Sequence, residues 1–316
     1  MVYVKEKVIS GQKYYYLTKS IRLPDGRVKT IQKKLSDKNE PPAKYSEWFD
    51  AQEKMAFADW AVKAYRKNSV FTEEEIRKIE GMRVDYRKIL RQLSNQQKKD
   101  LFDRFTANFT YESNAIEGNS LTLKDVAVVL FEKTAIKGKE LREVYDTRNS
   151  RDVVDLILKK KFKVSEKDII KMHKMLVRDM EIVTGYKKIP NFLIGRKTST
   201  APPEKVKEEM NKLLRHYERN SGKIHPLELA AQFHGVFERI HPFEDGNGRV
   251  GRFLINVILV NKGYPPLIIR KTQRIAYFKC LEDFDNGYKE NLERFILEKF
   301  KDTYRKFFEV YVKYLN

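Results

Sequence analysis

The sequence has a single cysteine, Cys280, so no disulfide can form within the chain, and this usage suits a reducing compartment such as the cytoplasm. Helix breakers are scarce, with 14 glycines and 10 prolines in 316 residues, which argues against collagen-like or loop-dominated architectures. Long apolar runs are absent. The best stretch, 253–260, is interrupted by Asn256 and is far short of the roughly 20 residues a membrane helix requires, so no membrane contact is expected. The opening residues, Met-Val-Tyr-Val-Lys-Glu-Lys, lack the apolar core of a signal peptide. Acid is in short supply relative to base: 44 Asp and Glu against 64 Lys and Arg leave a net charge of +20. That imbalance favours anionic partners, whether nucleotides, nucleic acid or acidic surfaces, without choosing among them. With 41% hydrophobic and 12% aromatic residues, the chain can still build a sizeable core.

Residues 1–36 read as strands. Tyr3, Val4 and Val8 precede a Ser10-Gly11 turn, Tyr14 to Leu17 lead on to Ile21, and Pro24-Asp25-Gly26 turns the chain before Val28 to Ile31. The expected module is an antiparallel meander, followed by a linker ending at Pro41-Pro42. From residue 43 the apolar residues recur every three or four positions, the pattern of helices. Thr72 with Glu75, and Thr122 with Asp125, mark helix starts. Pro226 opens a helix carrying Leu229, Phe233, Phe237 and Ile240 on one face, and 252–261 form a nearly all-apolar helix of the kind buried centrally. The fold class is therefore mainly α, with a short β-hairpin in the non-helical stretch near 191–195 and a small N-terminal β meander. We divide it as 1–36 meander, 43–120 helical region, 121–290 catalytic region and 291–316 C-terminal helix.

One stretch concentrates chemistry: His241-Pro242-Phe243-Glu244-Asp245-Gly246-Asn247-Gly248-Arg249-Val250-Gly251-Arg252. Gly246 and Gly248 around Asn247 let backbone N–H groups converge on an anion, and the following helix N-terminus adds partial positive charge. Arg249 and Arg252, three apart on that helix, can reach one polyphosphate. Asp245 is a hard oxygen ligand suited to Mg²⁺, and His241 is a candidate base. Such a set within one loop points to phosphoryl or nucleotidyl transfer. The remaining histidines, His173, His216, His225 and His234, show no metal-ligand spacing and are read as structural.

This stretch resembles the signature of the Fic family and matches it at every fixed position. The resemblance implies transfer of AMP from ATP to a Ser, Thr or Tyr hydroxyl of a target protein. It implies that His241 deprotonates the hydroxyl and that Asp245 holds Mg²⁺. By the same resemblance, Gly246, Asn247, Gly248 and Arg249 cradle the phosphates, Gly251 lies within the nucleotide-binding signature, and Arg252 grips the γ-phosphate. The stretch with Phe192, Ile194 and Gly195 resembles the family's target-aligning flap. Tyr277 and Asp285 fall where the family places adenine contacts, Asp285 standing in place of an asparagine of some relatives.

Upstream, Ser113-Asn114-Ala115-Ile116-Glu117-Gly118 resembles the family's inhibitory motif. The resemblance implies that Glu117 pairs with Arg252 and so competes with the γ-phosphate, with Ser113 part of the same regulatory segment. It also admits removal of AMP from the target, self-modification and a homodimer. Two other readings share the fold: a Doc-like protein kinase and a phosphocholine transferase. Retention of Gly248 favours AMP transfer, because Doc-type signatures typically carry a larger residue there. A reading from another class comes from the basic, tyrosine-rich residues 1–36, which suit nucleic-acid binding.

Overall fold

The computed structural model describes residues 2–132, 134, 136–191 and 199–315. The expected hairpin at Phe192 to Gly195, with Ile194 and Gly195 of the candidate flap, lies outside the described residues. At the N-terminus, β1 (Val2–Ile9), β2 (Gln12–Arg22) and β3 (Val28–Lys34) form an antiparallel sheet in the order β1-β2-β3, as the turn signals predict. Tyr3 pairs with Thr18 and Val4 with Leu17 across the first hairpin, and Leu17 pairs with Lys33 across the second. This register puts Leu17, Ile21 and Ile31 on one face. They bury against Phe49, Ala56 and Phe57 of α1 (Ser46–Ala64) and Val84 of α2 (Glu73–Gln92). Lys19, also on that face, pairs with Glu53 at 2.8 Å.

The other described helices are α3 (Asn95–Ile116), α4 (Leu123–Ala127), α5 (Leu141–Leu158), α6 (Glu166–Leu176), α7 (Pro203–Asn220), α8 (Pro226–Ile240), α9 (Asn247–Asn261), α10 (Arg274–Asp285), α11 (Lys289–Phe307) and α12 (Glu309–Leu315). Their starts follow the expected caps. The Thr72 side chain accepts from the Glu75 N–H, Thr122 and Asp125 close a reciprocal capping box, and Pro226 occupies the first turn of α8. The C-terminal segment is two helices, α11 and α12, which part at Phe308.

At the centre is α9, buried on nearly every side. It packs against α8, α3, α5 and α6, with the Phe253 ring 4.8 Å from that of Phe109 on α3. It begins at Asn247, five residues before the apolar run, because Gly246 takes a left-handed conformation (φ 80°, ψ 6°) and caps the helix there. The glycine-rich half of the signature is thus the first turns of a helix, and α9 carries the chemistry into the core. Among the described residues no helix is long and apolar enough to cross a membrane.

Candidate active site

The site is built where α8 ends and α9 begins. His241 terminates α8 in a left-handed conformation (φ 51°, ψ 62°), its N–H still bonded to the Phe237 carbonyl at 2.9 Å. A non-glycine residue rarely sits there, and this backbone turn ends α8 at the candidate base and starts the signature loop. The next turn is anchored by Phe243, fully buried, whose ring stacks on His173 at 3.9 Å with planes 6° apart. His173 Nε2 lies 3.1 Å from the Asp245 carbonyl oxygen, and burial pushes its imidazole down to about 4. His173 is therefore a structural support of the loop, in keeping with the reading from sequence.

Asn247 behaves as a staple. Its Oδ1 accepts from the Phe243 N–H and its Nδ2 donates to the Phe243 carbonyl, both at 2.8 Å. Its side chain is spent on the loop, which leaves the backbone N–H groups of the first turn of α9 to face an anion. The base of the 192–198 segment is tied to the same turn. The Lys187 N–H donates to the Pro242 carbonyl and Asn191 Nδ2 to the Phe243 carbonyl, each at 2.9 Å. Lys187 Nζ joins the two sides of that base, donating to Asn191 Oδ1 at 2.7 Å and Thr200 Oγ1 at 3.0 Å, and burial lowers its ammonium to about 8.

The two arginines have separate partners. Arg249, buried, forms an ion pair with Asp146 of α5, whose carboxyl is pushed up by burial against the pull of Arg249. Arg142, one turn earlier on α5, pairs with Asp245. Arg252 is 2% exposed and fully engaged by the end of α3: Nε donates to Ser113 Oγ at 3.1 Å, Nη2 to the Ser113 carbonyl at 2.9 Å, and Nη1 lies 2.7 Å from Glu117 Oε1. Burial opposes the guanidinium charge, and Glu117 together with Tyr277 and Glu238 more than offsets it. The expected contact between Glu117 and Arg252 is thus present. Arg274 Nε donates to the Ile116 carbonyl at 2.7 Å and Glu112 accepts from the Lys271 N–H at 2.7 Å, so the region before α10 holds the end of α3 in place.

The glycines divide by task. Gly246 supplies the left-handed cap, whereas Gly248 is helical and is needed for clearance. A Cβ there would fall on Glu117 Oε1 and 3.0 Å from Arg252 Nη1. Gly251 faces α8, where a Cβ would strike Glu238 and the His234 ring, so it serves helix packing and does not face the loop mouth. Tyr277 is likewise an interior residue: it has no exposed surface, and its hydroxyl lies 2.7 Å from His234 Nε2. Asp285 is the half-buried last residue of α10.

Residues 163–259 match the family model of the Fic/DOC family. That span, which holds the signature, resembles a Fic domain. Curated relatives include the protein adenylyltransferase Fic of Drosophila persimilis, 31% identical over 206 residues, which are 61% of this chain and 40% of that protein. The protein of the same name from Drosophila melanogaster is equally similar over 41% of its length. The chain therefore spans about two fifths of these relatives. Among solved structures, a Fic domain-containing signaling protein from Bacteroides thetaiotaomicron superposes with a TM-score of 0.61 at 25% identity, covering 75% of this chain and 93% of that one. Fic-1 (residues 134–508) of C. elegans shares the fold with a TM-score of 0.65 at 21% identity over 85% of this chain and 77% of that one.

Neither Arg142 nor Asp146 was evident from sequence. Only the fold brings them, from α5, to Asp245 and Arg249. The task of Arg274, holding the end of α3, carries no sequence signal.

Proposed function

We propose that the Fic domain transfers AMP from ATP to a hydroxyl of a target protein and that the chain holds itself in an inhibited state. The observation that carries this reading is the engagement of Arg252 by Ser113 and Glu117. A buried guanidinium at the first turns of α9 is where a terminal phosphate would be gripped, and a carboxylate already occupies it at 2.7 Å. The relatives' shared name, protein adenylyltransferase Fic, supports the same reaction.

In this reading the α9 N-terminus and Arg249 bind the phosphates nearest the sugar, and Asp146 keeps Arg249 aimed. The incoming hydroxyl oxygen attacks the α-phosphorus while His241 takes its proton. The bond from the α-phosphorus to the bridging oxygen breaks, and pyrophosphate leaves with that oxygen. Asp245 fits Mg²⁺: it is a carboxylate at the loop mouth, 42% exposed, with a cation, Arg142, already against it. Among the described residues no cluster of three or more His, Cys, Asp or Glu could hold a metal, which suits an ion completed by phosphate oxygens and water. When bound, Mg²⁺ would neutralise phosphate charge. The regulatory segment lies within 43–120 and the catalytic unit within 121–290. Its expected setting is a reducing compartment, and a homodimer and self-modification are extensions of the same reading.

The test is incubation of wild type and Glu117→Gly with Mg²⁺, lysate proteins and ATP labelled at either the α- or the γ-phosphate. Label retained on protein from α-labelled ATP alone, stronger with Glu117→Gly, supports AMP transfer. Label from γ-labelled ATP would replace it with a kinase, and an added mass of phosphocholine when that donor is supplied would replace it with the third reaction. Release of AMP from modified protein by wild type but not by Glu117→Gly would add hydrolytic removal of AMP by water.

A further inference from the structure

The N-terminal sheet has a second face, and its chemistry differs from the first. In the observed register Lys5 and Lys7 of β1, Tyr14, Tyr16 and Arg22 of β2, and Lys34 of β3 share the side opposite Leu17 and Lys19. That side faces away from α1. Lys5, Arg22 and Lys34 are exposed and Lys7 is half-buried. The strands contain one carboxylate, Glu6, which lies on the other side of the sheet and pairs with Lys13 at 3.0 Å. The nearest turn carboxylate, Asp25, is bound to Trp60 of α1 at 2.8 Å and to Arg27. Among the described residues none of the four cations is within ion-pair distance of an acid. A solvated face usually mixes signs; this one carries only positive charge.

The tyrosines position that charge. Lys34 Nζ stands 4.1 Å from the Tyr14 ring centre and Lys7 Nζ 4.7 Å from that of Tyr16, while Lys7 also donates to Gln32 Oε1 at 2.8 Å. Rings capped by ammonium groups are poor platforms for stacking bases and good props for cations. Three strands about 4.8 Å apart span roughly 10 Å, and a right-handed twisted ribbon of that width fits a B-DNA major groove of about 12 Å.

We propose that this face binds the phosphate backbone of duplex DNA, as a docking surface separate from the Fic site. The sheet reaches the rest of the molecule through α1 and α2, so the two sites share no residue.

The test uses the full-length protein and a fluorescent 20-base-pair duplex, with anisotropy read across a salt series. Four phosphate contacts predict an affinity falling about 10²-fold between 50 and 200 mM salt, with a log–log slope near −3.6. Joint substitution Lys5→Gln, Lys7→Gln, Arg22→Gln and Lys34→Gln should weaken binding at least tenfold and flatten the slope by about 3.6. Lys33→Gln, on the face toward α1 over Trp48, should change it little. AMP transfer by the joint variant in the Glu117→Gly background should be unchanged. If the joint variant unfolds early, Lys5→Gln and Lys34→Gln singly should each lower the slope by about 1. Absence of duplex binding at 50 mM salt, equal loss in Lys33→Gln, a salt slope untouched by the face substitutions, or preference for single-stranded over duplex DNA would overturn the proposal.

Discussion

The signature loop and the N-terminal sheet are both compact and both rich in cations, yet they hold charge in opposite ways. At the loop, Arg249 and Arg252 are buried, and each is matched by a carboxylate delivered from another helix, Asp146 from α5 and Glu117 from the end of α3. At the sheet, Lys5, Arg22 and Lys34 of the outer face are exposed and Lys7 is half-buried, Lys7 and Lys34 standing over tyrosine rings, and the apolar side is a small cluster resting on α1 and α2. Buried charge must be paired within the fold, so the loop's chemistry is inseparable from the core and from its inhibitory partner. Exposed charge costs little to leave unpaired, so the sheet can be altered with small consequence for the site.

The largest expected effect falls on the loop. In the Glu117→Gly background, His241→Ala should lower AMP transfer by about 10² to 10⁴-fold, the range for loss of a general base, while ATP still binds. Persistence of transfer near the parent rate would remove His241 from the mechanism. Next, Glu117→Gly alone should raise transfer at least about tenfold over wild type, about one charge-assisted hydrogen bond's worth of competition.

Asp146→Asn probes the second buried pair. It should lower the stability of the helical core by about 1 to 3 kcal/mol in chemical denaturation and reduce transfer, because Arg249 loses its counter-charge. A variant as stable and active as its parent would break the claim that buried charge at the loop depends on its partner. The contrasting change is Leu17→Ala, which should loosen the sheet by about 2 to 5 kcal/mol on its own unfolding transition yet leave transfer by Glu117→Gly within about twofold. Equal loss of transfer would erase the distinction between the two regions.

The smallest effect is a pH dependence inside the helical core. Glu228 on α8 is buried beside Glu293 of α11, with Gln232 donating to both, and burial raises the Glu228 carboxyl to about 7. Its folded form holds a proton that the unfolded chain releases near 4.5. The contribution to stability is therefore complete below about 4.5 and is lost as pH rises through about 7. The melting temperature of Glu228→Gln should fall less than that of wild type between pH 5 and 7.5, by a few degrees; identical slopes would assign the dependence elsewhere.

Much of the site was legible in sequence because its chemistry is contiguous: His241, Asp245, the glycines and both arginines fall in one loop and the first turns of α9. The meander and the capped helix starts were legible for a similar reason, since turns and caps are local. What was not legible depends on approach between distant segments. Gly248 read as part of an anion cradle, and the space it leaves became clear only with Glu117 beside it. Gly251 and Tyr277 looked like ligand contacts and are packing residues against α8, because helical spacing does not reveal which neighbour a side chain meets. Arg142 and Asp146 meet Asp245 and Arg249 only when α9 is laid against α5.

The most direct test is the structure of Glu117→Gly with Mg²⁺ and a non-hydrolysable ATP analogue. The account predicts the terminal phosphate on Arg252, now turned from Ser113, the inner phosphates over the first turn of α9, and the α-phosphorus open to an oxygen held by His241. A triphosphate bound away from α9, or Arg252 still closed on Ser113 with the nucleotide in place, would contradict it.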